Sequence, residues 1–510
     1  MKNDWQEDLT LTSHSKRKGY GQISEMRGSF DTRVRMRVIW GIFVTLLSVI
    51  VARIFYLQVV TRGQHQLTSY DNHIELHPVV AERGKIYDRH GNEIPRDRAN
   101  SQVVGYTAQV LDKEIGCTGG LCYQAGGRIG RAGLEAVMEA SLRGRDGGRL
   151  VEVDAQGRDV RELGSNQAES GDDLHLSIDA QLQQIAYSAL GGKRGSAVMI
   201  DMQGRVLALV SSPAYDPLEV PKYLQDTSEL FFLNRPLSAT YPPGSVFKLV
   251  TAMAGLEEGD INSDTQFEDT GEIKVGTYRY GNWYFDQYGQ REGVLGLTRA
   301  LARSNDIYFY KVGEAVGVDR LVKWSAKFGF GEKTGIELPG EVSGLVPDQL
   351  YKERRTGEKW FLGNTYHMAI GQGDLLVTPA QVARMTLSVI SGRRCELSLL
   401  RDKAVECSDL GLKTENIDLV REGMRQACAT GGTAFPFFAF DPWVMCKTGT
   451  AQHGGQKNEE DLPHAWITVA YPGENPEFIL TVMLESAGEG SAEAGPVAKT
   501  ILEGWRGLGR

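Results

Sequence analysis

From Val38 to Val60 the chain reads VIWGIFVTLLSVIVARIFYLQVV, an apolar run interrupted only by Arg53. At about 1.5 Å per residue a helix of this length crosses a hydrocarbon core of about 30 Å. Arg33, Arg35 and Arg37 stand directly before it, and Lys16, Arg17, Lys18 and Arg27 lie further upstream. Such a flank stays in the cytoplasm, which sends everything after residue 60 to the outer side. Arg53 reaches back to the outer headgroups along its apolar stem. A cleaved signal peptide is the competing reading, with Ile50-Val51-Ala52 as a weak cleavage site. The 37 residues ahead of the run are too many for a typical signal, and the arginine flank argues against a buried soluble helix.

The rest of the composition narrows the field by exclusion. A formal net charge of -9 argues against a nucleic-acid binder, which needs a basic face. A length of 510 residues allows about three domains, or one large and one small. Six cysteines beyond a membrane anchor call for a disulfide reading. Cys117 and Cys122 are close neighbours in a Gly-rich loop, and Cys395 and Cys407 bracket a short hairpin-like segment. Cys428 and Cys446 either pair or stay buried as thiols. There is no Cys-x-x-Cys, and the nine histidines do not fall beside cysteines at zinc-ligand spacing, so neither a metal nor a cofactor is expected.

Four segments follow along the chain. Residues 1–37 are polar and basic, a cytoplasmic tail, and residues 38–60 are the anchor. Residues 61–165 have short apolar patches among many turn residues, as in a small non-catalytic module, and residues 166–510 form the main domain. Past Asp172, Leu174–Ile178 alternates as a strand does, and Asp179 is placed to cap a helix running to about Leu190. Apolar, β-branched runs at Ser196–Asp201 and Arg205–Ser211, joined by Met202-Gln203-Gly204, read as a hairpin. Three more strands are expected at Trp443–Lys447, Ala465–Tyr471 and Phe478–Leu484. Helical patterns such as Ser245–Glu257 and Leu297–Val312 fill the interval. Strands at both ends with helices between predict an α+β domain with one mixed sheet closed by both chain ends.

The chemistry centres on Tyr241-Pro242-Pro243-Gly244-Ser245-Val246-Phe247-Lys248. The prolines delay the helix and Gly244 permits a sharp turn. Ser245 then falls in the first turn, where backbone N–H groups favour developing negative charge. Lys248, three residues on, shares its face. A serine hydroxyl is a weak nucleophile that a desolvated amine can deprotonate. Ser-x-x-Lys alone is weak: Ser13 to Lys16 and Ser15 to Lys18 match it too, and a lone match is read as a capped surface helix. Two further segments change the odds. Ser304-Asn305-Asp306 presents a hydroxyl and a carboxylate before an aromatic helical run, although Ser170-Gly171-Asp172 also matches and a helix cap is its plainer meaning. Lys447-Thr448-Gly449-Thr450 follows an apolar strand, with Gly449 expected to let a substrate backbone lie close and the Thr450 N–H to face an oxyanion. An edge strand ending in a turn is the alternative there. The three in this order are the penicillin-recognising serine enzyme set.

With these motifs the sequence resembles class B penicillin-binding proteins from the anchor to the C-terminus. Arg83-Gly84-Lys85-Ile86-Tyr87-Asp88-Arg89 resembles a motif of the family's pedestal, and Gly133-Leu134-Glu135 with Leu142-Arg143-Gly144 the next block. Asn234-Arg235, Gly371-Gln372-Gly373 with Thr378-Pro379, and His464-Ala465-Trp466 are similar to further family positions. The resemblance implies a penicillin-recognising serine transpeptidase fold, a five-stranded, mostly antiparallel sheet flanked by helices. It implies Ser245 as the acyl-accepting nucleophile, Lys248 as general base, and Ser304 and Asp306 as proton relay or partners of Lys248. Lys447 and Thr448 would bind the substrate carboxylate, and the N–H groups of Ser245 and Thr450 would form the oxyanion hole. Asn305, Thr448, Gly449 and Thr450 are the expected substrate contacts. The implied substrates are peptidoglycan stem peptides ending in D-Ala-D-Ala, with β-lactams as covalent ligands.

The elongation subgroup, penicillin-binding protein 2, resembles this chain most. Val151-Glu152-Val153 with Gly157-Arg158 looks like its pedestal-to-catalytic link, and a membrane glycosyltransferase of the elongation machinery is the implied partner. Two features depart from the pattern. The stretch from Gly91 to Gly130 is shorter than the usual pedestal insertion. Some elongation-type members carry a metal between the first two motifs, yet Phe267 to Gly293 has neither Cys nor His. The division-specific paralogue, and a carboxypeptidase or β-lactamase on the same fold, are the alternatives. A scaffold with a degenerate site is disfavoured by intact catalytic residue types, and a β-lactam sensor by a 37-residue tail too short for a signalling domain.

Overall fold

The computed structural model describes residues 32–63, 73–118, 121–154, 156–453 and 462–509. Most of the expected tail, including the extra Ser-x-x-Lys matches at Ser13 and Ser15, lies outside them. The chain divides into two compact units: Met1–His77 with Arg149–Ser165, and Pro78–Gly148 with Asn166–Arg510.

In the first unit, helix α1 (Thr32–Phe55) runs on through a π-helical turn at Tyr56–Val60. Together they are long and apolar enough to cross a membrane, and none of their side chains is buried. Strands β1 (Ile74–Val79), β2 (Gly147–Val153) and β3 (Asp159–Asn166) form a three-stranded sheet in that order. Val151-Glu152-Val153 is therefore the end of β2, and beyond it Gly157 N–H donates to the Asp154 carbonyl at 2.9 Å.

The second unit begins with residues that the motifs had marked out. Arg83 donates through Nε to Glu135 at 2.6 Å and through a terminal nitrogen to Glu139 at 2.7 Å, and Arg96 reaches Glu135 at 2.6 Å. Gly84 donates to the Leu142 carbonyl at 2.8 Å. A Cβ on Gly84 would sit 1.9 Å from the Asp172 carbonyl oxygen, so only glycine fits between those strands of chain.

Helix α2 (Ala180–Leu190) is capped by Asp179, which accepts from Gln181 and Leu182 N–H, and ends at left-handed Gly191. The hairpin follows as β4 (Gly195–Asp201) and β5 (Val206–Ser212). β5 lies one residue later than the expected Arg205–Ser211, and a β-bulge in the hairpin shifts the register between Met199 and Ile200. The central helices are α3 (Lys248–Glu257), α4 (Leu297–Arg303), α5 (Asp306–Val316), α6 (Pro379–Ser391) and α7 (Thr414–Ala427). Strands β6 (Met445–Ala451), β7 (His464–Tyr471) and β8 (Phe478–Leu484) and helix α8 (Gly495–Gly507) complete the unit. The sheet order is β5-β4-β8-β7-β6: both chain ends close one sheet as expected, but it is antiparallel throughout rather than mixed, because every neighbouring pair of strands runs in opposite directions.

Both faces of that sheet are covered. Val198, Ile200, Trp466 and Met483 pack with α3 and α6 on one side. Ala197, Met199, Ile467 and Val482 pack with Leu182, Ile501 and Leu502 on the other. Two buried faces explain why these strands read as continuous apolar runs rather than as alternation.

Two further expectations are corrected. The helical pattern Leu297–Val312 is two helices, because Ser304 takes a left-handed φ of 53°. Asn305 N–H closes on the Ala300 carbonyl and Ser304 N–H on that of Leu301, a Schellman stop that periodicity does not reveal. The strand expected at Trp443–Lys447 begins at Met445 and runs through Ala451, so the Lys-Thr-Gly-Thr stretch lies within β6 rather than after a strand. Trp443 instead gives its carbonyl to Gly473 N–H at 2.7 Å.

Disulfides join Cys117 to Cys122, Cys395 to Cys407 and Cys428 to Cys446, which resolves the pairing left open for the last two. The third ties the end of α7 to β6 beside Lys447. Closing an 18-residue separation stabilises by about 3 kcal/mol. The double variant Cys428→Ala/Cys446→Ala is therefore expected to melt roughly 5–10 °C lower in calorimetry. An unchanged melting temperature would show that packing alone holds that corner.

Candidate active site

The turn that carries Ser245 is held from below by backbone contacts. Tyr241 exchanges two hydrogen bonds with Val377, both 2.9 Å, Trp466 Nε1 donates to the Pro242 carbonyl at 3.1 Å, and Gly244 N–H donates to the Gly371 carbonyl at 2.8 Å. Gly244 has φ 57°, and a Cβ there would come within 2.8 Å of the Thr450 carbonyl oxygen. Gly371 meets the same demand, since its Cβ would lie 2.1 Å from the Gly244 oxygen. One 3₁₀ turn, Gly244–Phe247, precedes α3, so Ser245 sits ahead of the α-helix proper. Helix α3 is buried on every side from Lys248 to Leu256, which takes the Lys248 amine wholly out of water.

The break at Ser304 is what brings the second motif to that amine. Lys248 Nζ donates to the Ser304 carbonyl at 2.7 Å, to Ser304 Oγ at 3.3 Å and to Asp306 Oδ1 at 2.7 Å. Lys447 Nζ donates to the same Ser304 Oγ at 2.8 Å and to its neighbour's carbonyl, Thr448, at 2.9 Å. Ser304 Oγ thus lies between two amines. Among the described residues the Ser245 hydroxyl forms no hydrogen bond and stays half-buried beside this network.

Two amines and one carboxylate meet in a buried cluster. Burial pushes Lys248 below its usual range against the opposing pull of Asp306. Lys447 is pushed well below, first by burial and then by the charge of Lys248. The cluster is electrically neutral when one amine has lost its proton, which is the state a base needs.

The other expected contacts divide. Thr448 is buried, its hydroxyl 2.8 Å from that of Thr433. Thr450 is exposed at the edge of the sheet, its hydroxyl accepting from Gly490 N–H at 3.3 Å and its carbonyl from Gln372 Nε2 at 3.3 Å. The space beside Gly449 is taken by the chain itself, because a Cβ there would lie 3.0 Å from the Pro243 oxygen and 3.1 Å from Val246. Gly449 therefore lets β6 approach the serine turn, not an external backbone. Asn305 is 1 % exposed and both ends of its amide are taken, Oδ1 by Tyr308 N–H at 2.9 Å and Nδ2 by Asp269 at 3.0 Å. Its side chain is therefore engaged within the protein.

Sequence reasoning missed Asp269, Asn282, Trp283 and Thr433. Trp283 N–H donates to Asp306 Oδ2 at 3.0 Å and Asn282 Oδ1 accepts from Asp306 N–H at 3.1 Å. None has a spacing signal, since Asp269 at a strand end, Asn282-Trp283 at a helix start and Thr433 reach the motifs from three separate segments. The motif residues Arg235 and His464 lie behind the serine turn. Glu485 accepts from Arg235 Nε at 2.9 Å and from Tyr241 OH at 2.5 Å. His464 Nδ1 accepts from Ser486 N–H at 3.0 Å, and burial lowers its pKa to about 4, with His453 adding to the fall. Among the described residues no group of three or more His, Cys, Asp or Glu is placed to hold a metal.

Comparisons with known proteins match this geometry to characterised chains. Residues 195–503 match the family model of the penicillin binding protein transpeptidase domain, and residues 93–176 that of the penicillin-binding protein dimerisation domain. The peptidoglycan D,D-transpeptidase MrdA of Escherichia coli (strain K12) is 32% identical over 448 residues, 80% of this chain and 70% of that protein. The crystal structure of Pseudomonas aeruginosa PBP2 in complex with WCK 5153 is 30% identical with a TM-score of 0.74, over 84% of this chain and 96% of that one. A chain from a peptidoglycan synthase complex that coordinates polymerization and crosslinking is 26% identical with a TM-score of 0.76, over 93% and 98%.

Proposed function

The chain belongs to the penicillin-binding protein transpeptidase family, and on that premise we propose that it cross-links peptidoglycan during cell-wall elongation through a serine acyl-enzyme at Ser245. The observation that carries this reading is the contact chain Lys248–Ser304–Lys447 beside an unengaged serine hydroxyl. Lys248, as a neutral amine, takes the Ser245 proton while Oγ attacks the carbonyl of the penultimate D-alanine. The Ser245 and Thr450 N–H groups hold the oxyanion. On collapse the peptide C–N bond breaks, and the departing D-alanine amine receives the proton from Lys248 by way of Ser304 Oγ. The amine of a neighbouring stem then attacks the ester and gives its proton to Lys248, the ester C–Oγ bond breaks, and Lys248 passes that proton to the departing Ser245 Oγ. Lys447 and Thr448 meet the terminal carboxylate. The donor stem lies along the open edge of β6, where unpaired backbone groups accept an extended peptide. A β-lactam enters by the first half of this path, and its leaving nitrogen stays tethered.

The remaining assignments follow from this. Residues 1–37 form the cytoplasmic tail, 38–60 a single-pass anchor, 61–165 the pedestal and 166–510 the transpeptidase domain, placed outside the cytoplasmic membrane. Similarity to a chain of a peptidoglycan synthase complex supports a membrane glycosyltransferase as partner. Supplied with uncross-linked glycan strands bearing pentapeptide stems, the purified protein is expected to release D-alanine in a one-to-one ratio with new cross-links. It should also hold bound penicillin for many minutes. D-Alanine release with tetrapeptide stems only, or rapid penicillin turnover, would make it a hydrolase instead.

A further inference from the structure

Asp269 ends the strand Gln266–Asp269 and is 2 % exposed, yet among the described residues it has no ion-pair partner. Its carboxylate is filled by N–H donors. Oδ1 accepts from Gly271 N–H at 2.8 Å. Oδ2 accepts from Asn282 Nδ2 at 2.9 Å, Asn305 Nδ2 at 3.0 Å and Glu292 N–H at 3.0 Å. The direction of both amides is set elsewhere. Asn282 Oδ1 takes Asp306 N–H at 3.1 Å, and Asn305 Oδ1 takes Tyr308 N–H at 2.9 Å. Each asparagine can therefore turn only its donor toward Asp269. Four converging donors require an acceptor-only group, which is an ionised carboxylate.

What those donors hold is the turn between the second-motif serine and its carboxylate. Asn282 fixes the backbone of Asp306, and Trp283 N–H takes Asp306 Oδ2 at 3.0 Å, which leaves Oδ1 for Lys248 at 2.7 Å. On the other side of the turn, Glu292 pairs with Arg303 Nε at 2.5 Å, and Arg303 directly precedes Ser304. Among the described residues the charged groups around the cluster include Glu292 with its partners Arg303 and Arg299, and Asp306, Lys248 and Lys447. We infer that Asp269 is a positioning residue: its ionised carboxylate clamps Asn282 and Asn305, and through them sets how Asp306 meets Lys248. The inference rests on the reading of Ser245 and Lys248 as nucleophile and base.

The test is the penicillin acylation rate of the full-length protein against pH, for wild type, Asp269→Asn, Asp306→Asn and the double variant. Asp269→Asn is nearly isosteric, but it turns an N–H donor into a ring of donors and removes the charge. The acylation plateau is expected to fall at least about tenfold, the scale of a small misplacement. Its acid limb should move to lower pH, because a loosened Asp306 no longer favours the Lys248 ammonium. In the Asp306→Asn background the same change should cost little more. A limb that stays in place while the rate falls only with the folded fraction would overturn the inference, as would an undiminished loss in the Asp306→Asn background. If Asp269→Asn does not fold, Asn282→Ala removes the link and must show the same limb shift, and a wild-type profile there overturns the inference equally. A wild type that is not acylated at all would instead refute the serine reading.

Discussion

Replacing Ser245 by alanine is expected to abolish covalent labelling by a fluorescent penicillin while leaving the fold intact. The side chain is half-buried and forms no hydrogen bond among the described residues, so its loss removes a hydroxyl and little packing. The melting temperature should stay within about 1–2 °C, the small effect of a substitution away from any cap, cavity or buried network. The chemical loss is large by contrast, roughly 10⁶-fold for a nucleophile that acts as one unit with its base. Ser304 cannot substitute for it. Ser304 is 5 % exposed and its hydroxyl accepts from two lysines at 3.3 and 2.8 Å, a placement for passing protons rather than for attack. Persistent labelling of Ser245→Ala would mean that another side chain carries the ester.

The second large effect is expected at Lys248. Lys248→Met keeps the buried stem at the start of α3 and removes only the amine. Acylation should fall by roughly 10²–10⁴-fold, the range of a lost general base. The pH dependence gives the sharper signature. Burial lowers the Lys248 pKa from its ordinary value, so the folded protein gives up this proton at lower pH than the unfolded chain does. The neutral base therefore accumulates as pH rises through the folded value, and wild-type acylation should climb along a limb lying below the usual lysine range. Stability runs the same way: the unfolded chain binds the extra proton between the two values, so the folded state gains stability as pH rises through that window. Lys248→Met should lose the limb, and it should also melt lower, because Asp306 is left as a nearly buried carboxylate without its cation. A variant that keeps the wild-type limb would assign the base to Lys447.

Much of this was legible along the chain because it depends on local rules. Asp179 announces a cap, Met202-Gln203-Gly204 a hairpin, and the continuous apolar runs a sheet buried on both faces. The Ser245–Lys248 pair is local too, one turn of helix. The break at Ser304 was not legible, because a left-handed serine carries no compositional mark and Leu297–Val312 is apolar at helical spacing on both sides of it. Nor was the use of Asn305, whose amide is committed to Tyr308 and to Asp269, thirty-six residues earlier.

The sequence by itself determined the long apolar helix near the N-terminus, the two groups of strands and the motif residues, since each follows from hydropathy, periodicity or a short fixed spacing. Only the tertiary structure decided that Lys248, Ser304, Asp306 and Lys447 meet, and that Asp269 stands behind them with four donors and, among the described residues, no cation. Those contacts join segments up to 143 residues apart. Their energies depend on exclusion of water and on the angle of single hydrogen bonds, and no pattern within one segment encodes either.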